Sequence, residues 1–208
     1  PFTLNSAVDN LCKNEFDHYR AKAEPHPMFI EHGIDAVPFA HEKMDEWRNN
    51  FKGIRHIDEE AGYNFGGAVD DIWEKPNGDL IVIDVKSTSK NVFDWEDTYS
   101  KWEYAKGYRR QLEMYQWLLE KNGFNVASEG YLVYYNGKKH EPMFNQQLTF
   151  DLHLVKLECD NSWVEEAVLN AKATLDGDMP KPSKSCENCN YLRKRWEVSQ
   201  KDPNKLVD

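Results

Sequence analysis

Residues 66–86, GGAVDDIWEKPNGDLIVIDVK, decide the fold of this chain. The PNG tripeptide near the middle is the strongest hairpin signal in the sequence, because these residue types favour tight turns. The β-branched, apolar run that follows the turn predicts a short, buried strand. Carboxylates and a lysine nevertheless lie at the ends of these strands. Since a core strand normally lacks charge, their placement needs either a structural or a chemical explanation.

The chemical explanation begins with Asp84 and Lys86, which close the second strand. Alternation along a strand puts these two side chains on one face and Val85 on the other. The tight turn brings Asp70, at the end of the preceding strand, beside them. Two converging carboxylates and the main-chain carbonyl of Val85 make an oxygen site that suits Mg²⁺ or Mn²⁺. A neighbouring lysine can activate water or stabilise a phosphoryl group, so the set matches metal-dependent phosphodiester hydrolysis.

The structural explanation is an ion pair between Asp84 and Lys86 at the end of a hairpin. A D-x-K tripeptide is common, and one that stands alone favours this interpretation. The sequence context supports the chemical interpretation, because Gly67, Asp70 and the apolar strand accompany the D-x-K tripeptide. Asp71 is either a charge at a turn or sheet edge, or the second candidate for the role of Asp70.

The size and composition of the chain predict one domain. With 208 residues, of which 40% are hydrophobic, it can bury a core of its own. We therefore predict a single domain over residues 1–208, with an N-terminal helical segment (1–52) and a Cys-containing tail (177–208). No apolar run approaches the roughly 18 residues of a membrane span, which argues against a membrane partner. Four cysteines with one CxxC pair make a poor disulfide framework and predict an intracellular protein, in the cytoplasm of a bacterium or of a virus-infected host, with an organelle as the alternative.

Hydrophobic periodicity and turn signals predict the order of the secondary structure. Helices are expected over residues 5–22, 36–51, 99–122 and 160–175. Extended structure is expected over residues 53–75, after the PNG turn, at GYLVYY (130–135) and around 147–154. This order predicts an α/β (α+β) fold with a sheet flanked by helices.

The sequence pattern resembles a known family. G-x-x-D, a hairpin and an apolar strand ending in D-x-K are together similar to the PD-(D/E)XK nuclease superfamily. Further elements resemble its RecB-like exonuclease branch, which includes exonucleases of CRISPR adaptation and of mitochondrial genome maintenance. They are a histidine in AHEKMDEW, a Q-x-x-x-Y element in YRRQLEMYQWLL, and a Cys followed by an aromatic residue in LCKNEFDHY. The resemblance covers nearly the whole chain and implies a restriction-endonuclease-like mixed central β-sheet flanked by helices.

The resemblance implies a role for each residue that matches the pattern. Asp70 and Asp84 would bind the metal, and Lys86 would be the catalytic lysine. His41 would be an additional metal ligand, presented on a helix that faces the sheet. Asp45, one helical turn away, could hold the other ring nitrogen of that histidine. A surface or capped core histidine is the alternative for His41.

The helix with the Q-x-x-x-Y element predicts the substrate contacts. Gln111 and Tyr115 share one helix face, where they would contact the substrate backbone or fix the catalytic lysine. An ordinary amphipathic face is the alternative. The same helix interleaves cations with aromatic residues, as a strand of nucleic acid would require, or as a solvated face would show. These further candidates are Lys106, Tyr108 and Arg109.

The cysteines depart from the family pattern. Several RecB-like nucleases bind a [4Fe–4S] cluster through one N-terminal and three C-terminal cysteines. Here Cys12, Cys186 and Cys189 match, but Arg195 stands at the last position, so we predict no iron–sulfur cluster. A zinc site made of these three cysteines and a further ligand is one alternative. A degenerate site without metal is the other.

The net charge and the motifs of the chain allow three functions. The acidic net charge of −10 excludes a non-specific nucleic-acid coat, but a nuclease needs only a local groove and metal ions. The leading prediction is a Mg²⁺- or Mn²⁺-dependent deoxyribonuclease, an exonuclease acting on single-stranded DNA or on duplex ends. A catalytically inactive nucleic-acid or protein-binding member that retains the fold is the alternative. A sequence-specific restriction endonuclease would need a recognition module, and no extra domain is predicted for one.

Overall fold

The centre of the structure is a mixed β-sheet in the first of two compact units, which are Pro1–Val168 and Leu169–Asp208. A computed structural model describes residues 3–201. The strands are β1 (Val37–Pro38), β2 (Ile54–Asp58), β3 (Tyr63–Gly67), β4 (Asp71–Glu74), β5 (Leu80–Thr88), β6 (Val126–Gly137) and β7 (Phe150–Glu158). The helices are α1 (Thr3–Arg20), α2 (Pro27–Glu31), α3 (Met44–Trp47), α4 (Trp95–Lys101), α5 (Glu103–Lys121), α6 (Val164–Asp176) and α7 (Glu187–Lys201).

The topology of the sheet follows from its connections. Five of the described strands pair in the order β1-β4-β5-β6-β7, and β2 and β3 form a separate hairpin. β5 and β6 are parallel, whereas the other neighbouring pairs are antiparallel. A parallel pair needs a crossover connection, and α4 with α5 supplies it. The predicted α/β fold, with helices against a mixed central sheet, is confirmed.

Alternation along β5 sends its side chains into two separate cores. Leu80 and Val82 pack in a cluster with side chains of α5. Ile81 and Ile83 pack in the other cluster, which contains Phe16 of α1. Both faces of this strand are therefore covered by helices, which explains its nearly continuous apolar sequence. The even-numbered positions that follow, Asp84 and Lys86, lie on the α5 side, and the sequence predicted that these two residues share one face.

The predicted PNG hairpin is present between β4 and β5. Gly78 adopts a φ of 86°, which a glycine tolerates without strain, and its N–H donates to the carbonyl of Lys75. The register pairs Asp71 with Ile83. Asp71 therefore begins a strand instead of closing one, and the strand it begins is only four residues long.

The predicted helix over residues 36–51 is wrong. The chain forms the short edge strand β1 and a single helical turn, α3. Pro38 has no N–H to donate, which is tolerated at an edge of a sheet. The N–H of Phe39 donates to the carbonyl of Ile72, so the chain runs along β4 before it turns into α3.

Two helical segments differ from the predictions. The helix predicted over residues 99–122 begins earlier and is interrupted at Trp102, whose φ of −122° and ψ of 119° are extended. In the second unit, α7 is a helix that the sequence analysis did not predict; residues 202–208 of the predicted tail lie outside the described residues. Within the described range, no helix has the length and apolar character needed to cross a membrane.

Candidate active site

A cavity of about 630 Å³ opens between α1, the β4–β5 hairpin and α5. The hairpin region supplies charged and polar groups, and α5 supplies an amide and two phenols. The residues that line it include Asp70, Asp84, Val85, Lys86, Ser87, Tyr108, Gln111 and Tyr115. The cavity therefore gathers the residues that the sequence predicted for catalysis, together with three of the five predicted for substrate binding.

The hairpin sets the two predicted metal-binding carboxylates side by side. Because Asp71 pairs with Ile83, the preceding residue, Asp70, lies next to Asp84 across the two strands. The main-chain N–H of Val85 donates a hydrogen bond of 2.7 Å to Asp70 Oδ2. The Asp70 carboxylate is thus held against β5 and lines the cavity.

Asp84 is the buried member of the pair. It is 1% exposed, and this burial raises its pKa to about 7. The Lys86 ammonium, 2.5 Å from Asp84 Oδ2, opposes that increase, and the Asp70 carboxylate adds to it. The ionised form of Asp84 is therefore destabilised by burial, and a nearby cation stabilises it.

The donor set fits a divalent metal ion. Asp84 Oδ2 is buried and has no hydrogen-bond partner among the described residues, although it is ion-paired with Lys86. The described part of the chain holds no group of three His, Cys, Asp or Glu residues that could bind a metal. Two carboxylates remain, and Mg²⁺ is commonly bound by one or two carboxylates plus waters and substrate phosphates. Asp70 and Asp84, with the main-chain carbonyl of Val85, match that requirement.

Lys86 is held between a carboxylate and an aromatic ring. Its Nζ lies 4.6 Å from the centroid of Tyr108. A cation over a ring face is stabilised by the ring quadrupole. Asp84 and Tyr108 therefore fix the ammonium group at the wall of the cavity.

Gln111 and Tyr115 form a hydrogen-bonded pair in the same cavity. Gln111 Nε2 donates to Tyr115 Oη at 2.9 Å. Burial raises the pKa of Tyr115 to about 12, so its hydroxyl keeps a proton that it can donate. The ring lies against Gly67, where a Cβ atom would come within 2.6 Å of Tyr115 Cε1. The glycine of the G-x-x-D pattern is thus needed to admit this tyrosine.

Asp71, the second candidate for the role of Asp70, has a structural environment. It is fully buried, and Arg20 Nη2 lies 2.6 Å from its Oδ1. Arg48 pairs with the other oxygen, and the N–H of Ile72 also donates to this carboxylate. Asp17 pairs with both arginines. Of the two adjacent aspartates, only Asp70 lines the cavity.

His41 does not lie on a helix, contrary to the prediction. It precedes α3, stacks on Trp47 at 4.3 Å, and accepts the Lys43 N–H through Nδ1. His41 and Asp45 line a second cavity, whereas Asp70 and Asp84 line the one described above. The aromatic stacking corresponds to the alternative of a packed histidine. A role for His41 as a metal ligand stays a prediction without geometric support.

Two predicted substrate contacts, Lys106 and Arg109, do not line this cavity. Lys106 pairs with Glu103 at the exposed start of α5. Arg109 Nε lies 2.9 Å from Glu113 Oε1. Glu113 is buried and also accepts from Trp163 Nε1 at 2.8 Å, so it ties α5 to the segment before α6.

The three predicted cysteine ligands fall in different units, Cys12 in the first and Cys186 and Cys189 in the second. Cys12 is buried, accepts a hydrogen bond from Tyr135 Oη at 3.4 Å, and has a pKa raised to about 12 by burial. In the second unit, Cys186 precedes α7 and accepts the N–H of Cys189, which lowers the pKa of Cys186. The absence of an iron–sulfur cluster stays a prediction, as does the zinc alternative.

Helix α1 contributes to the site, which the sequence did not predict. Asn5 and Asp9 line the cavity, and Lys13 lies 2.8 Å from Asp9 Oδ2 and 3.8 Å from Asp70 Oδ1. These three residues are four apart, so they share one polar face of the helix. That spacing was visible in the sequence, but only the fold shows which element the face meets.

One of three comparisons with known proteins gave a match. A search of curated proteins and a search of solved structures each gave no match. A family model described as the PD-(D/E)XK nuclease superfamily matches residues 3–193. The match spans the hairpin, α5 and α1, and the mixed sheet flanked by helices agrees with the predicted restriction-endonuclease-like fold. The chain belongs to the PD-(D/E)XK nuclease superfamily.

Proposed function

We propose that this protein is a divalent-metal-dependent deoxyribonuclease, specifically an exonuclease that acts on single-stranded DNA or on duplex ends. The observation that carries the proposal is the convergence of Asp70, Asp84 and Lys86 in one cavity. Asp84 is a buried carboxylate whose pKa is raised and which faces a second carboxylate, Asp70. Such an arrangement does not stabilise the fold, so folding does not explain it. Such a carboxylate beside a lysine is expected where a metal ion and a phosphate are bound.

The residues of the site have different roles in the proposed hydrolysis. A Mg²⁺ or Mn²⁺ ion held by Asp70, Asp84 and the Val85 carbonyl would polarise the phosphate and acidify a water. Lys86, fixed by Asp84 and Tyr108, orients the attacking water or stabilises charge on the phosphoryl oxygens. Because the side chain is held on two sides, little reorganisation is needed when the substrate arrives.

The substrate assignment is supported by the pair on α5. Gln111 and Tyr115 lie in the same cavity as the carboxylates, as the resemblance to RecB-like exonucleases implies. The Tyr115 hydroxyl accepts from Gln111 and has its own proton left to donate to a phosphate oxygen. Protection from bulk water strengthens such a bond. The proposed intracellular location agrees with the free cysteines of the described chain.

The test compares the wild type with Lys86→Ala on DNA labelled at the 5′ or 3′ end, single-stranded or duplex. Each substrate is incubated with Mg²⁺, Mn²⁺ or a chelator. We expect cleavage that starts at one end, requires the metal and falls at least a hundredfold in Lys86→Ala. Lys75→Ala is the matched control, because that lysine is also paired with a carboxylate, Glu129, but does not line the cavity.

The outcomes separate the proposal from its alternatives. Internal cleavage would contradict the exonuclease assignment but keep the nuclease. Binding without cleavage under every metal condition would identify a catalytically inactive member. Wild-type activity in Lys86→Ala would show that the assigned site is wrong.

A further inference from the structure

Three aromatic side chains form a continuous row from the protein surface to the catalytic lysine. Trp102 and Tyr104 have ring centroids 6.1 Å apart, and Tyr104 and Tyr108 are 5.6 Å apart. Tyr108 in turn lies under the Lys86 ammonium and lines the active-site cavity. We call Trp102, Tyr104 and Tyr108 the aromatic row.

The outer end of the row is open to solvent. Trp102 is 56% exposed and Tyr104 is 47% exposed. Neither belongs to the two core clusters, whereas Tyr108 packs at the edge of one. Trp102 occupies the extended residue that interrupts α4 and α5. Large aromatic groups at such a position gain little from burial in the folded chain, so their contribution to folding does not explain them.

The cations around the row are already paired with carboxylates. Lys101 pairs with Asp97, and Glu103 pairs with both Lys106 and Arg110. Phosphate binding by free cations would give most of its affinity through counterion release. The carboxylates beside these cations reduce that contribution on this surface, and the exposed ring faces offer an uncharged means of binding a ligand.

We propose that the aromatic row binds single-stranded DNA by stacking on its bases and leads the strand to Lys86. This inference rests on the proposed nuclease function. Ring faces stack on any base, so the binding is independent of sequence. In a duplex the bases are already stacked on one another, so a row of exposed rings selects single strands and frayed ends.

The row connects directly to the site of cleavage. Its innermost ring, Tyr108, lies 4.6 Å from Lys86 Nζ, and that nitrogen lies 2.5 Å from Asp84. Bases stacked on Trp102 and Tyr104 therefore place the following phosphate near the carboxylate pair. The row thereby gives the enzyme a preferred direction of entry for the strand.

The test measures binding in a chelator, where no metal-dependent cleavage occurs. Fluorescein-labelled oligothymidylate is compared with an abasic strand of equal length, which carries the same phosphates but has no bases. We expect the wild type to bind the thymidylate strand at least tenfold more tightly than the abasic one. The Trp102→Ala/Tyr104→Ala double variant should weaken thymidylate binding roughly tenfold to a hundredfold and remove the difference between the strands.

Two control variants show whether the effect belongs to the row. Trp196→Ala removes a tryptophan of similar exposure, 66%, from the second unit, and should bind as the wild type does. Trp102→Phe keeps a ring face and should recover most of the affinity lost in Trp102→Ala. Circular dichroism and thermal melting establish that each variant is folded.

The results distinguish this inference from the proposed function. Equal binding of the two strands, absence of binding, or an unchanged double variant would overturn the inference, even if the wild type cleaves DNA with Mg²⁺. Row-dependent binding by a protein that cleaves no DNA with either metal would overturn the nuclease proposal, and only the stacking of single-stranded DNA on the aromatic row would remain. A blunt duplex of the same length should compete at least tenfold less well than the single strand, and equal competition would also count against the inference.

Discussion

The main-chain N–H of Val85 donates a 2.7 Å hydrogen bond to Oδ2 of Asp70. This bond joins β5 to the residue just before β4, and continues the register that pairs Asp71 with Ile83. It fixes the Asp70 carboxylate beside Asp84 with a main-chain donor, so no second side chain of the site is needed to hold it. The β4–β5 hairpin therefore brings the carboxylates of Asp70 and Asp84 together. Substitutions of the adjacent residues Asp70 and Asp71 test this.

Asp70→Asn should lower activity, whereas Asp71→Asn should lower stability, although the two residues are adjacent. Asp70→Asn removes a proposed metal ligand but still offers an oxygen to Val85, so activity should fall about a hundredfold or more with little change in stability. Asp71→Asn leaves Arg20 and Arg48 without a buried counter-charge, and should lower the free energy of unfolding by about 3–5 kcal/mol. Urea unfolding and initial cleavage rates measure the two effects. A stable Asp71→Asn protein would contradict the structural role.

Gly67→Ala should damage the site through Tyr115. The added Cβ would lie 2.6 Å from Tyr115 Cε1, so the ring must move and its hydrogen bond with Gln111 must change. We expect cleavage to fall at least tenfold, measured as kcat/KM on labelled DNA. Combining Gly67→Ala with Tyr115→Ala should cost little more than Tyr115→Ala alone, because the clash is then absent.

Gly107→Ala is the matched control for this glycine substitution. Gly107 lies inside α5, and no atom lies within 4 Å of a Cβ added there. Replacing a glycine within a helix by alanine should raise the free energy of unfolding by about 0.5–1 kcal/mol. Equal losses of activity in Gly67→Ala and Gly107→Ala would show that the contact with Tyr115 is not the cause.

The sequence predicted the hairpin well because its signals are local. A PNG turn sets the register, and alternation along a strand sets the face, so Asp84 and Lys86 could be placed on one side. The spacing of Gln111 and Tyr115 on one helix face is equally local. The predictions about these residues needed no knowledge of distant parts of the chain. The choice between the adjacent Asp70 and Asp71 came from the resemblance, because Asp70 keeps the family spacing from Gly67.

Other features could not be predicted because they depend on long-range partners. The cations of α5 look like a phosphate-binding set, but Arg109 is held by Glu113, which also binds Trp163 far along the chain. The approach of Lys13 to Asp70 likewise depends on how α1 packs against the sheet. The false helix over residues 36–51 has a related cause, since edge pairing with β4 overrode the local apolar spacing.

Glu113→Ala should destabilise the protein more than Arg109→Ala does. Glu113 is buried and accepts from the Arg109 side chain, the Trp163 indole at 2.8 Å and the N–H of Asp160 at 3.2 Å. Its removal leaves the Trp163 indole and the N–H of Asp160 without this acceptor, at a cost of about 2–3 kcal/mol. Arg109 is partly exposed, and Glu113 keeps its other two donors, so Arg109→Ala should cost about 1 kcal/mol or less. Urea unfolding measures both, and equal effects would contradict the structural assignment.

The pH dependence of the metal-free protein should report on Asp84. Its pKa is raised to about 7 by burial, against about 3.9 in an unfolded chain, so the folded state binds the proton more tightly. The stability that this proton provides is complete below about pH 4 and is lost as the pH rises through 7. With a chelator present, the free energy of unfolding of the wild type should therefore fall between pH 5 and 8 relative to that of Asp84→Asn, whose amide does not titrate. Parallel stability profiles for the two proteins across this range would show that Asp84 already carries its charge at pH 5.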